Sequence, residues 1–119
     1  MDVELVGPEQ VPVPPEKVRV LSARAAAYSD GRRVKVSVRL TPFLERPDVE
    51  LRIVDGAGQL LAEAAVIECV ETDFELTLHL RQGTPRPAAC ELAVRVRYPD
   101  RDLQTDHTLR FSIPPDLPS

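Results

Sequence analysis

Ala89-Cys90-Glu91-Leu92-Ala93-Val94-Arg95-Val96-Arg97-Tyr98 is the stretch from which the fold class follows. Leu92, Val94, Val96 and Tyr98 alternate with Glu91, Ala93, Arg95 and Arg97, the two-residue period of a strand with one buried and one wet face. The same alternation recurs on both sides of it. Val34, Val36, Val38 and Leu40 are interleaved with Arg33, Lys35, Ser37 and Arg39. Val49, Leu51 and Ile53 continue the pattern between Asp48 and Asp55. Phe74, Leu76, Leu78 and Leu80 alternate with Glu75, Thr77, His79 and Arg81, and Leu109, Phe111 and Ile113 carry a last strand from Leu103 to Ile113. Half-buried alternation of this kind belongs to antiparallel sheets, because parallel strands are covered on both faces and read as continuous apolar runs.

Two segments are less regular. In a first strand from Lys17 to Ser29, Val18 and Val20 share one parity while Leu21, Ala23, Ala25 and Ala27 take the other, so a bulge or kink is expected near Ser22. From Gln59 to Cys69, apolar residues occupy both parities and the alanines and glutamates have fair helix propensity. A short helix competes there, but the hairpin turn before it and the Val-Ile-Glu-Cys-Val run after it favour a strand. Asp30-Gly31 and Asp55-Gly56-Ala57-Gly58 supply turns, since glycine tolerates positive φ and an aspartate side chain can accept from its own backbone.

Length and composition bound the rest. A chain of 119 residues supports one core and one domain. Hydrophobic residues at 43% and charged residues at 29% are ordinary globular usage, and the absence of tryptophan leaves an aliphatic core. Residues 1–16, with Pro8, Pro12, Pro14 and Pro15, read as an extended proline-rich N-terminal arm, 17–113 as the β-sandwich domain and 114–119 as a C-terminal tail. A net charge of −4 argues against nucleic acid as a partner. Neither a signal peptide nor a membrane span is legible, so a cytoplasmic location with no membrane partner is the expectation, with a module of a longer exported protein as the reservation. Cys69 and Cys90 could bond or remain buried reduced thiols; the missing export signal favours the thiols.

Seven strands joined by short turn-rich connections specify an all-β chain, a seven-stranded antiparallel β-sandwich. The Asp55-to-Leu61 turn, the Phe74-to-Leu80 strand and Pro87-to-Val96 resemble an immunoglobulin-like or fibronectin type III-like bacterial sandwich. The resemblance implies an immunoglobulin-like fold whose members mostly bind proteins, bind ligands or act as spacers, with no shared catalytic residues and no cofactor.

In such a sandwich the loops after the second, fourth and sixth strands collect at one end. They would bring Glu45, Asp48, Glu71, Asp73, Asp100 and Asp102 together with Phe43, Leu44 and Leu103. Phe43-Leu44-Glu45-Arg46 is the candidate protein-contact loop: the bulky pair is either a plug over the core or a recognition tip. The carboxylates would suit Ca2+, although Arg46 and Arg101 lie among them. His79 and His107 have no nucleophile elbow or metal-ligand spacing beside them, and Gly56-Ala57-Gly58 lacks the features of a phosphate loop. Thr84-Pro85-Arg86-Pro87 is a rigid loop, but proline after the basic residue makes it a poor protease-substrate mimic. The expectation is a non-enzymatic protein-interaction or accessory module whose partner is another protein, with carbohydrate or Ca2+ binding through the loop end as the alternative. The alanines of Ala23–Ala27 also admit edge-to-edge homodimerisation.

Overall fold

The computed structural model describes residues 11–84 and 88–115. Among them seven strands form: β1 Val20–Ala27, β2 Arg33–Leu40, β3 Asp48–Asp55, β4 Leu60–Val66, β5 Asp73–His79, β6 Ala88–Tyr98 and β7 Leu103–Ile113. Two short 3-10 turns, Pro15–Lys17 and Pro99–Arg101, complete the regular structure among the described residues. Every strand pairing is antiparallel. One sheet has the order β1-β2-β5 and the other β4-β3-β6-β7, and together they form the expected β-sandwich.

The two central strands supply much of the core. Val34, Val36, Val38 and Leu40 of β2 are buried, as are Leu92, Val94, Val96 and Tyr98 of β6, and Val49, Leu51 and Ile53 of β3 join them. Each such side chain contributes about 1.5–3 kcal/mol on leaving water, so an aliphatic interior suffices without tryptophan. At the sheet margins β1 runs beside β7 and β4 beside β5, which closes the apolar layer.

Both irregular segments are strands with a bulge. In the β1–β2 ladder Val20 pairs with Leu40 and Ser22 with Arg39, so Leu21 is the extra residue and the inward parity changes after it. Val18 is buried before the bulge, and Ala23, Ala25 and Ala27 pack against the core after it. In the β3–β4 ladder Ile53 pairs with Ala62 and Val54 with Leu60, leaving Leu61 as the extra residue. The bulge lets the consecutive Leu61 and Ala62 both be buried, which explains the mixed parity that resembled a helix. The carbonyl of Leu61 also accepts the Arg81 N–H at 2.9 Å, a link from one sheet to the other.

The turns use the expected chemistry. Asp55 Oδ1 accepts from the N–H groups of Ala57 at 2.9 Å and Gln59 at 2.8 Å, while Gly58 takes φ of 82°. Gly31, with φ of 66°, turns the chain between β1 and β2, where the Arg33 guanidinium lies 4.4 Å from the Tyr28 ring centroid.

Several expectations shift in detail. The first strand begins at Val20 rather than Lys17 and ends at Ala27, because Pro15–Lys17 takes a 3-10 turn and Tyr28 begins the turn to β2. The fourth ends at Val66 rather than Cys69, where Glu68 adopts φ of 49° and cannot extend the ladder. The fifth spans Asp73–His79. His107 lies in mid-strand, half-buried opposite Val94, instead of near the start of the last strand. Of the N-terminal arm, Val13 forms a parallel bridge with Phe43; residues 1–10, 85–87 and 116–119 lie outside the described residues.

Cys69 and Cys90 are both buried free thiols. Their separation follows from β3: the Cys69 N–H donates to the Pro47 carbonyl just before that strand, whereas Cys90 pairs with Asp55 at its other end. A strand rises about 3.3 Å per residue, so the length of β3 keeps the two sulfurs far beyond bonding distance.

Candidate functional site

Strand direction defines two poles. β2, β4 and β6 end at one pole, where β3, β5 and β7 begin, so the loops 41–47, 67–72 and 99–102 share it. Hydrogen bonds tie them to one another. The Leu40 N–H donates to the Thr72 carbonyl at 2.7 Å, the Cys69 N–H to the Pro47 carbonyl at 2.8 Å, and the Glu68 N–H to Asp48 Oδ1 at 2.9 Å. The Tyr98 hydroxyl donates to the Glu45 carbonyl at 2.8 Å, and the Glu45 carboxylate pairs with Arg101 at 2.6 Å. The arm enters the same pole, with the Val13 N–H donating to Pro42 and the Val13 carbonyl accepting from Leu44, each at 3.0 Å.

The structure divides the candidate pair. Phe43 is half-buried and packs against the core, the plug arrangement, while Leu44 is 67% exposed, the tip arrangement. Glu45 is held through both its carbonyl and its carboxylate, and Arg46 is exposed beside it. Glu45, Arg46, Asp48, Ile67, Glu68, Tyr98, Pro99 and Asp100 line a shallow groove of about 530 Å3 between the loops.

Residues missed by sequence reasoning enlarge this surface. Ile67 is 68% exposed and Val70 63%, although the run containing them reads as extension of a buried strand. The available signal was their position beyond a segment already long enough to cross the sheet. Among the described residues the exposed large hydrophobic side chains are Val11, Leu21, Leu44, Ile67 and Val70. All lie at this pole: Val11 precedes the bridged Val13, and Leu21 sits in the bulge beside Leu40. The opposite pole has none among the described residues.

The carboxylates gathered here do not converge. Among the described residues no three His, Cys, Asp or Glu side chains form a group able to hold a metal ion. Phe43 and Tyr98 are turned inward, so they offer no flat aromatic surface on which a sugar ring could stack. Burial, followed by the nearby Glu45 carboxylate, pushes the Tyr98 hydroxyl up to about 12.

A second depression, of about 480 Å3, lies on the outer face of the four-stranded sheet, where Ala65 and Ala93 leave space among charged neighbours. Those neighbours largely satisfy one another: Arg95 pairs with Asp106 at 2.9 Å and Arg52 with Glu63 at 3.8 Å, and Arg97 holds Glu50 at 3.0 Å alongside. Across the other sheet Lys35 pairs with Glu75 at 3.4 Å. These are solvated ladders of the kind expected on sheet faces, each worth about 0–1 kcal/mol.

Fold and pole together describe a β-sandwich with an exposed apolar end. No family model matches the chain, and no curated protein matches it. Among solved structures it is similar to a β-glucuronidase of Parabacteroides merdae, with a TM-score of 0.57 and 14% identity over 81% of this chain. It is also similar to β-glucuronidase 3 of Bacteroides uniformis, with a TM-score of 0.55 and 14% identity over 80% of this chain. At that identity the likeness concerns the fold. The chain spans only 14% and 12% of the lengths of those two proteins.

Proposed function

We propose that the chain is a non-enzymatic accessory module that binds another protein through the pole formed by loops 41–47, 67–72 and 99–102. The observation carrying this reading is the confinement, among the described residues, of the exposed large hydrophobics to that pole. Scattered exposed leucines need no explanation, but an apolar set gathered at one end on hydrogen-bonded loops is the pattern of a contact surface. The glucuronidase likeness supports an accessory role, because the chain matches only 14% and 12% of the lengths of those two proteins. A fibronectin type III-like type is supported by β4 pairing with β3, since the immunoglobulin constant arrangement puts the fourth strand in the sheet of the first.

The test compares the wild-type chain and an L44S/I67S/V70S variant of equal melting temperature as bait in extracts of the source cells. A protein retained by the wild type and lost by the variant is expected. Identical retention by both would remove the pole from consideration. Turnover of a chromogenic glucuronide above the buffer rate would overturn the non-enzymatic half of the proposal.

A further inference from the structure

We infer that the protein surface received by this pole is basic, with arginine or lysine side chains surrounding an apolar recess. The inference rests on the reading of the pole as a protein contact and adds the chemistry of the partner. Loops 41–47, 67–72 and 99–102 contain the carboxylates Glu45, Glu68, Glu71, Asp100 and Asp102 against only Arg46 and Arg101. The balance of these loops is −3. The described loops of the opposite pole, 28–32, 56–59 and 80–84, contain Asp30, Arg32 and Arg81, a balance of +1. The described arm residues Glu16, Lys17 and Arg19 reduce the first balance to −2. Among the described residues the loop ends are still polarised along the strands, with Leu44, Ile67 and Val70 at the negative end.

Arg101 is already committed to Glu45. Glu68, Glu71, Asp100 and Asp102 make no ion pair among the described residues. They flank Ile67, Val70 and the Pro99 turn, so a partner that covers the apolar side chains also strips water from the carboxylates. A desolvated carboxylate without a partner opposes association, while a guanidinium or ammonium opposite it restores its hydrogen bonds and speeds encounter. A neutral or acidic surface can use the apolar contacts only at that electrostatic cost.

The experiment selects short random peptides on the immobilised full chain, with depletion on the L44S/I67S/V70S variant. Recovered peptides are titrated by fluorescence anisotropy against the wild type and E68K/E71K/D100K. Peptides rich in Arg or Lys and apolar residues are expected, with affinity falling about tenfold or more in the charge-reversed protein. Recovery of neutral or acidic peptides that still need Leu44, Ile67 and Val70 would overturn the basic partner and leave the pole as a protein contact. Failure to recover any peptide that distinguishes wild type from the serine variant would overturn both. If the triple variant melts early, Leu44→Asp replaces it in the depletion step, since that side chain already stands in water.

Discussion

Neighbouring residues with similar chemistry have opposite roles at the 41–47 loop. Phe43 packs inward while Leu44 points out, so Leu44→Asp is expected to shift stability by no more than about 0.5 kcal/mol. Leu92→Ala removes a fully buried side chain from the centre of the sandwich and is expected to cost about 2–5 kcal/mol. Parallel chemical denaturation of the two variants checks both values; equal losses would contradict the assignment of core and tip.

Tyr98 joins the core to the loop pole through its bond to the Glu45 carbonyl. Its hydroxyl titrates near 12 in the fold, above the ordinary value of 10, so the native state retains a proton that the unfolded chain releases. The contribution is fully present below pH 10 and is lost as pH rises toward 12. In a Tyr28→Phe background, ultraviolet titration is expected to show phenolate only at the upper end of that window. Phenolate appearing near pH 10 with the protein still folded would contradict the burial of the ring. Burial also pushes both cysteine thiols up, so Ellman's reagent should react slowly with the native protein and with both thiols in denaturant.

At the scale of elements, the bulges carry the lesson. Leu21 and Leu61 are both extra residues in their ladders, yet Leu21 is exposed and Leu61 is buried. Alternation located the strands around them, and the change of phase after Val20 marked the first bulge in advance. The direction of each leucine follows from what lies across from it, which only the packed sheets decide. The Asp55 turn is simpler, since its side chain accepts two backbone N–H groups. Asp55→Ala is expected to lower stability by about 1–2 kcal/mol, measured by thermal unfolding. No loss would mean that Gly58 alone sustains the turn.

For the whole molecule, polarity is the distinctive property. Among the described residues the exposed large hydrophobics and an excess of loop carboxylates share one pole, while the sheet faces are laced by opposite-charge pairs. Because the pole's charge is exposed, association driven by it should weaken with salt, whereas folding should respond little. The edge strand β1 bears on self-association: one side pairs with β2 and the other lies beside β7. Light scattering distinguishes the alternatives, with a doubled mass expected if Ala23–Ala27 pair between copies and a mass of 13.2 kDa if they do not.

The sequence by itself determined most of the strands, their succession along the chain and the pole at which the second, fourth and sixth loops meet, and left residues 59–69 open between strand and helix. The physical reason is local: a period of two decides which side chains can be buried together, and antiparallel succession decides where each strand ends. It also placed Leu44 and its acidic neighbours at that pole. Only the tertiary structure decided that β4 joins β3, that Phe43 turns in while Leu44 turns out, and that Ile67 and Val70 stand in water. Those outcomes depend on which surfaces are already covered when two sheets close, and no spacing along the chain records that.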